Sequence, residues 1–197
     1  MPRRVPPPAP RAADPPVSNA RLAMIILIAA ESMLFSGLIG TYLVFRLSAK
    51  DWPPADLPRL PLALTGANSL VLLASVVPMT RALRALGRGD RQALTRALEW
   101  TVALGATFLA VQGLEWVRLV HHGLTLGSGT YGAIFYVLIG CHGVHVLAAV
   151  VWLTVSTLLA RAGRLTAERR APLEMCAIYW YFVCALWVIL FPLVYLA

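Results

Sequence analysis

The chain has 197 residues, 59% of them apolar and only 13% charged, about half the charged share of a soluble domain. This excludes a water-soluble enzyme, and it excludes nucleic acid as a partner: the net charge of +8 and pI near 10.1 lie in a tail and loops, with no soluble domain to carry a basic face. Cys141, Cys176 and Cys184 fall inside apolar runs without pairing or metal-type spacing, and read as small core residues.

Residues 1–20 contain seven prolines and three arginines and can bury almost nothing, so a disordered cytoplasmic tail is expected. Residues 21–197 are expected to form one membrane domain of five helical spans. The first span, about 22–45, is expected to be a retained span and not a signal peptide, and carries Glu31 roughly 15 Å past Arg21, at midplane depth. A polar turn at Asp51, Trp52, Pro53 and Pro54 leads to the second span, about 62–80, with Asn68 and Ser69 inside it. Five arginines (Arg81, Arg84, Arg88, Arg91, Arg96) are predicted to form the loop before span three, about 100–120, which ends in Gln112, Glu115, Trp116 and Arg118. Span four, about 131–160, passes thirty residues without a formal charge; as a helix it would be about 45 Å long, more than the hydrocarbon requires. His142 and His145 sit near its middle. After Arg161, Arg164, Arg169 and Arg170 comes span five, about 173–196, with Glu174 at its entrance and Trp180, Trp187 and Pro192 within.

Positive charge alternates between connections. Thirteen of the 17 Lys and Arg residues fall in the tail and in the second and fourth connections, leaving Arg46, Lys50, Arg59 and Arg118 opposite. The fold class is therefore an all-α membrane protein, a five-transmembrane-helix bundle with its N-terminus cytoplasmic and its C-terminus outside. No loop has room for an extramembrane catalytic or nucleotide-binding domain, and no inverted repeat is visible.

Polar groups within the spans are the candidate sites. An unpaired carboxylate at the bilayer centre costs at least about 2.5–3.5 kcal/mol, so Glu31 should be protonated, paired or both. It reads either as a proton-handling or lipid-contact group or as a neutral carboxyl tying two helices together. His142 and His145, three residues apart and on one face, lie at similar depth, which makes a Glu–His contact between spans one and four reasonable. A haem would need another histidine, and His121 and His122 fall in a surface loop; zinc or copper would need further ligands. Interhelical hydrogen bonds, at about 0.6 kcal/mol each, are the default. Glu115 and Arg118 are expected to form a local ion pair, as is Glu174 with Arg169 and Arg170. Arg46 should snorkel to the surface or hold a lipid phosphate. Asn68, Gln112, Glu115 and Glu174 complete a structural polar core. Trp52, Trp100, Trp116 and Trp180 read as aromatic-belt residues, and Ser36, Gly37, Gly40, Gly66, Ser69, Gly140 and Gly143 as marks of close helix packing.

Five stretches, one per span, carry a family resemblance. They are Glu31-Ser-Met-Leu-Phe-Ser-Gly37; Gly66-Ala-Asn68-Ser69 with Leu72-Leu-Ala-Ser75; Gln112-Gly-Leu-Glu115-Trp116; Tyr131-Gly-Ala-Ile-Phe-Tyr136 with Gly140-Cys-His142-Gly143-Val-His145-Val; and Glu174-Met175 through Tyr179-Trp180-Tyr-Phe182-Val183. Together they resemble subunit III of the haem-copper oxidases, the cytochrome c and quinol oxidase family, in its short five-helix form. The resemblance implies an accessory subunit of a respiratory oxidase in the bacterial inner membrane, with no catalytic, cofactor-binding or metal residues of its own. Haems and copper are expected on the catalytic partners, subunit I and subunit II. It further implies bound phospholipid in a helical cleft, support of proton uptake and protection of the catalytic subunit during turnover. Glu31, Arg46, His142 and His145 are the lipid-binding or proton-linked candidates. A small extra helical subunit is expected to complete the cleft, because the short form lacks one wall.

The chain departs from the family pattern in the last span: Trp180-Tyr-Phe-Val-Cys184 stands where the family usually has Trp-His-Phe-Val-Asp, so hydrogen bonds there would be rerouted through the Tyr181 hydroxyl. The ending Leu190-Phe-Pro192-Leu-Val-Tyr195 is similar to the subunit III-like protein of nitric oxide reductases, the alternative partner. A small channel or transporter, with Glu31 and His145 lining a wet path, and a b-type haem protein are the readings from other classes.

Overall fold

A computed structural model describes residues 19–54 and 60–196; most of the expected tail lies outside the described residues. Five long apolar stretches are helical, and the described residues contain no strand. Helix α1 is Asn19–Ser48, α2 Leu62–Ala74, α3 Val76–Gly87, α4 Arg91–His121, α5 Thr130–Arg161 and α6 Ala171–Phe191, followed by a wider helical turn at Pro192–Leu196. Lipid offers no partner for backbone N–H and C=O groups, so each apolar run satisfies them internally as a helix.

The second span is broken. It runs as α2 and α3 with an interruption at Ser75, whose N–H reaches both Leu72 O (3.1 Å) and Val71 O (3.3 Å). Pro78 explains the position: it has no N–H for the carbonyl four residues earlier, that of Ala74, and its ring crowds that carbonyl. The helix then resumes to Gly87, so Arg81 and Arg84 lie on α3, and Arg91 and Arg96 on α4, where a loop was expected. A helix satisfies its backbone as well in the headgroup layer as in hydrocarbon, and arginine is a good helix former. Asp90 caps α4 by accepting from Ala93 N (2.9 Å), and Gly89, at φ 72°, makes the turn.

The core is built on α4, which packs against α3, α5 and α2, while α6 closes the bundle against α5. Trp180 and Trp187 are its largest fully buried side chains. Trp180 was expected in the aromatic belt, but it is 0% exposed and donates through Nε1 to Ser75 Oγ (3.1 Å) at the helix break. Trp187 donates to Ser69 Oγ (2.8 Å). Trp100, 65% exposed, stays at the surface as expected. Close packing between helices falls on Gly143, where a Cβ would sit 3.3 Å from Trp116, and on Gly105, which sequence reading had not singled out. Among the described residues nothing lies within 4 Å of a Cβ built at Gly37 or Gly40, so neither serves close approach between described helices. Helix α1 packs chiefly on α6 and α5 and leaves much of its apolar surface uncovered, Met33 at 78% and Leu47 at 82% exposure.

Candidate functional site

Two membrane carboxyls organise two polar sites. Glu31 on α1 and His145 on α5 meet at 2.8 Å, Oε2 to Nε2, across 114 residues of sequence. His145 Nδ1 lies 2.7 Å from the Cys141 carbonyl oxygen, which can only accept, so Nδ1 carries a hydrogen. In a neutral imidazole that leaves Nε2 as a lone pair. The Glu31 contact then needs one proton, on the carboxyl if the ring is neutral or on Nε2 if the ring is an imidazolium. Both arrangements have zero net charge, and this makes a carboxyl tolerable in hydrocarbon. Phe35 packs edge-on against the imidazole at 5.1 Å, while the two side chains keep 20% and 14% exposure. The pair holds one exchangeable proton at the flank of the bundle.

His142 does not join it. Three residues advance a helix by about 300°, so the two imidazoles point about 60° apart. His142, 1% exposed, turns inward and stacks on Trp187 at 5.0 Å and 22°.

The second site is internal. Glu115 on α4 is 1% exposed and accepts from Thr65 Oγ1 on α2 (2.7 Å, Oε2) and from Tyr195 Oη past α6 (3.0 Å, Oε1). Gln112 Nε2 donates to Tyr195 Oη (3.2 Å), and Asn68 Nδ2 to the Phe108 carbonyl (3.0 Å). The expected Glu115–Arg118 ion pair is not formed: Glu115 faces the core, and Arg118, three residues further along, is exposed. Charged and neutral partners competed here, and the helix face decided. Thr65 and Tyr195 were missed by sequence reading; Pro192, which loosens the last turn, was the only local hint of how Tyr195 reaches inward. Asn68 Oδ1, Gln112 Oε1, Trp116 Nε1 and both His142 ring nitrogens are buried without a partner among the described residues.

Glu174 belongs to neither site. It stands at the start of α6, paired with Arg170 Nε at 3.1 Å and near Arg21 at 3.9 Å; its place is the bundle end and not the polar core, because it lies in the first turn beside the cationic connection. Arg46 is tied into the fold at the end of α1. Its Nη1 donates to the Leu193 carbonyl (3.2 Å), which Tyr42 Oη also reaches (3.1 Å), tying the end of α1 to the end of α6. Tyr181 Oη lies 3.0 Å from Thr80 Oγ1, so its hydroxyl bonds to α3. Among the described residues no three His, Cys, Asp or Glu side chains gather as metal ligands.

These features define a class: a multi-pass membrane helical bundle whose mid-span carboxyls are tied to neighbouring helices. A family model described as cytochrome c oxidase subunit III matches residues 15–197. The "Cytochrome c oxidase subunit 3" of Synechocystis sp. is 35% identical over 174 residues, covering 88% of this chain and 73% of the relative. A "Probable cytochrome c oxidase subunit 3" of Nocardia farcinica is 33% identical, covering 87% and 84%. That of Sus scrofa is also 33% identical, covering 89% and 68%. The chain belongs to the cytochrome c oxidase subunit III family. Its role is that of an oxidase accessory subunit associated with the catalytic subunits.

Proposed function

We propose that this chain is the redox-silent subunit III of a respiratory haem-copper oxidase of the bacterial inner membrane, with its N-terminus cytoplasmic. Haems and copper reside on subunits I and II, with which it associates. The chain holds phospholipid beside α1, a small helical subunit covers that flank, and the assembly supports proton uptake and longevity of the catalytic subunit. The observation that carries this reading is the one-proton Glu31–His145 pair, partly exposed on the flank where α1 is least covered. The relatives' names favour an oxidase over a nitric oxide reductase as the partner. Alternation of Lys and Arg between connections supports the orientation.

In the assembled oxidase, Glu31→Gln should leave subunit stoichiometry unchanged, because the amide can still donate to His145 Nε2. It removes the transferable proton and should shorten the turnover lifetime of the enzyme. An unchanged lifetime at normal assembly would withdraw Glu31 from the function. Conductance by the chain reconstituted alone would instead favour the channel reading.

A further inference from the structure

Five buried polar atoms without a partner among the described residues belong to one junction of three helices. They are Asn68 Oδ1 on α2, Gln112 Oε1 and Trp116 Nε1 on α4, and both ring nitrogens of His142 on α5. Gln112 and Trp116 stand one turn apart on the same face of α4. The indole edge that carries Trp116 Nε1 faces α5, because Cη2 and Cζ2 would lie 3.3 and 3.9 Å from a Cβ at Gly143, the neighbour of His142. Asn68 donates to the Phe108 carbonyl one turn before Gln112, and the Phe108 ring meets Trp187 edge-on at 5.2 Å. Trp187 is the ring on which His142 stacks.

What the neighbours already use fixes the role of each free atom. Asn68 Nδ2 faces a carbonyl, which can only accept, so Oδ1 is the free end. Gln112 Nε2 donates to Tyr195 Oη, whose own hydrogen goes to Glu115, so Oε1 is free as well. No carboxylate bonds to His142, and an imidazolium there would be an unpaired buried charge, so the ring offers one N–H and one lone pair. The junction therefore presents two donors, Trp116 Nε1 and one His142 nitrogen, and three acceptors, Asn68 Oδ1, Gln112 Oε1 and the other His142 nitrogen. No donor among them reaches an acceptor directly. Leaving all five unpaired in a core clad in hydrocarbon costs more than immobilising solvent does.

We propose that this junction binds a hydrogen-bonded pair of internal water molecules. Two waters bonded to each other keep three hydrogens to donate, one for each acceptor, and lone pairs for both donors. A metal cation in their place would meet two N–H groups head-on, and an apolar molecule would satisfy no group. The pair joins α5, through His142, to the network of Thr65, Gln112, Glu115 and Tyr195 that ties α2 and α4 to the chain end. The site is internal and depends neither on the Glu31 pair nor on the identity of a partner subunit.

The test uses the assembled oxidase in lipid nanodiscs and a cryo-EM map that resolves ordered water elsewhere in the complex. Two peaks about 2.8 Å apart should appear among Asn68, Gln112, Trp116 and His142. His142→Phe keeps a ring to stack on Trp187 but removes one donor and one acceptor, so at least one of the two peaks should be lost. If that variant does not assemble, Trp116→Phe should lose the peak beside the indole nitrogen. A wild-type map without density at the junction would overturn the proposal. So would direct contact of His142 with Asn68 or Gln112, a single peak with neighbours at metal-ligand distances of about 2.0–2.4 Å, or both peaks unchanged in the variant.

Discussion

Glu115→Ala should destabilise the assembled bundle by about 2–4 kcal/mol. Two donors converge on this carboxyl, Thr65 Oγ1 at 2.7 Å and Tyr195 Oη at 3.0 Å, in a site from which lipid and water are both excluded. Measured coupling energies between polar side chains in membranes average only about 0.6 kcal/mol, but truncation does more than delete a pair. It strands the Tyr195 hydroxyl, leaves a cavity, and releases the link between α2, α4 and the chain end. Glu115→Gln should cost much less. The new amide can accept from Tyr195 through its oxygen and donate to Thr65 Oγ1, whose own hydrogen can then turn to the Pro61 carbonyl, 3.1 Å away. Thermal unfolding of the two variants in one detergent checks the order; equal losses would show that the carboxylate itself, and not side-chain volume or hydrogen bonding, governs the site.

Gly105→Val should be nearly as damaging, by about 3 kcal/mol, the upper end of ordinary overpacking. A Cβ there would lie 2.7 Å from Trp180 Cη2 and 2.9 Å from Val150 Cγ2. Trp180 cannot retreat easily, since it is fully buried and its Nε1 is bonded to Ser75 Oγ at the α2–α3 break. Adding Trp180→Phe, which shortens the offending side chain, should recover part of the loss despite costing stability in the wild-type background. Strict additivity of the two substitutions would mean that this contact does not exist in the folded protein.

Polar residues were legible as a set but not as partners. Glu31 and His145 could be matched by depth, because both lie mid-span on helices whose ends are marked by charge. Depth alone also matched His142, yet the 60° offset along α5 sent it to Trp187 instead. Glu115 was assigned its nearest charge in sequence, Arg118, and found Thr65 and Tyr195 instead. Trp180 was read from its distance to a span end, which says nothing about which side of α6 it occupies. The arginines of the second connection were assigned to a loop but extend two helices, since hydropathy marks where hydrocarbon ends and not where a helix does.

The sequence by itself determined the number, order and approximate limits of the spans, because hydrocarbon forces each long apolar run to close its own backbone hydrogen bonds. Only the tertiary structure decided which polar groups meet. The deciding contacts join residues 50, 80 and 114 positions apart, and their pairing depends on helix rotation and packing that no local pattern encodes.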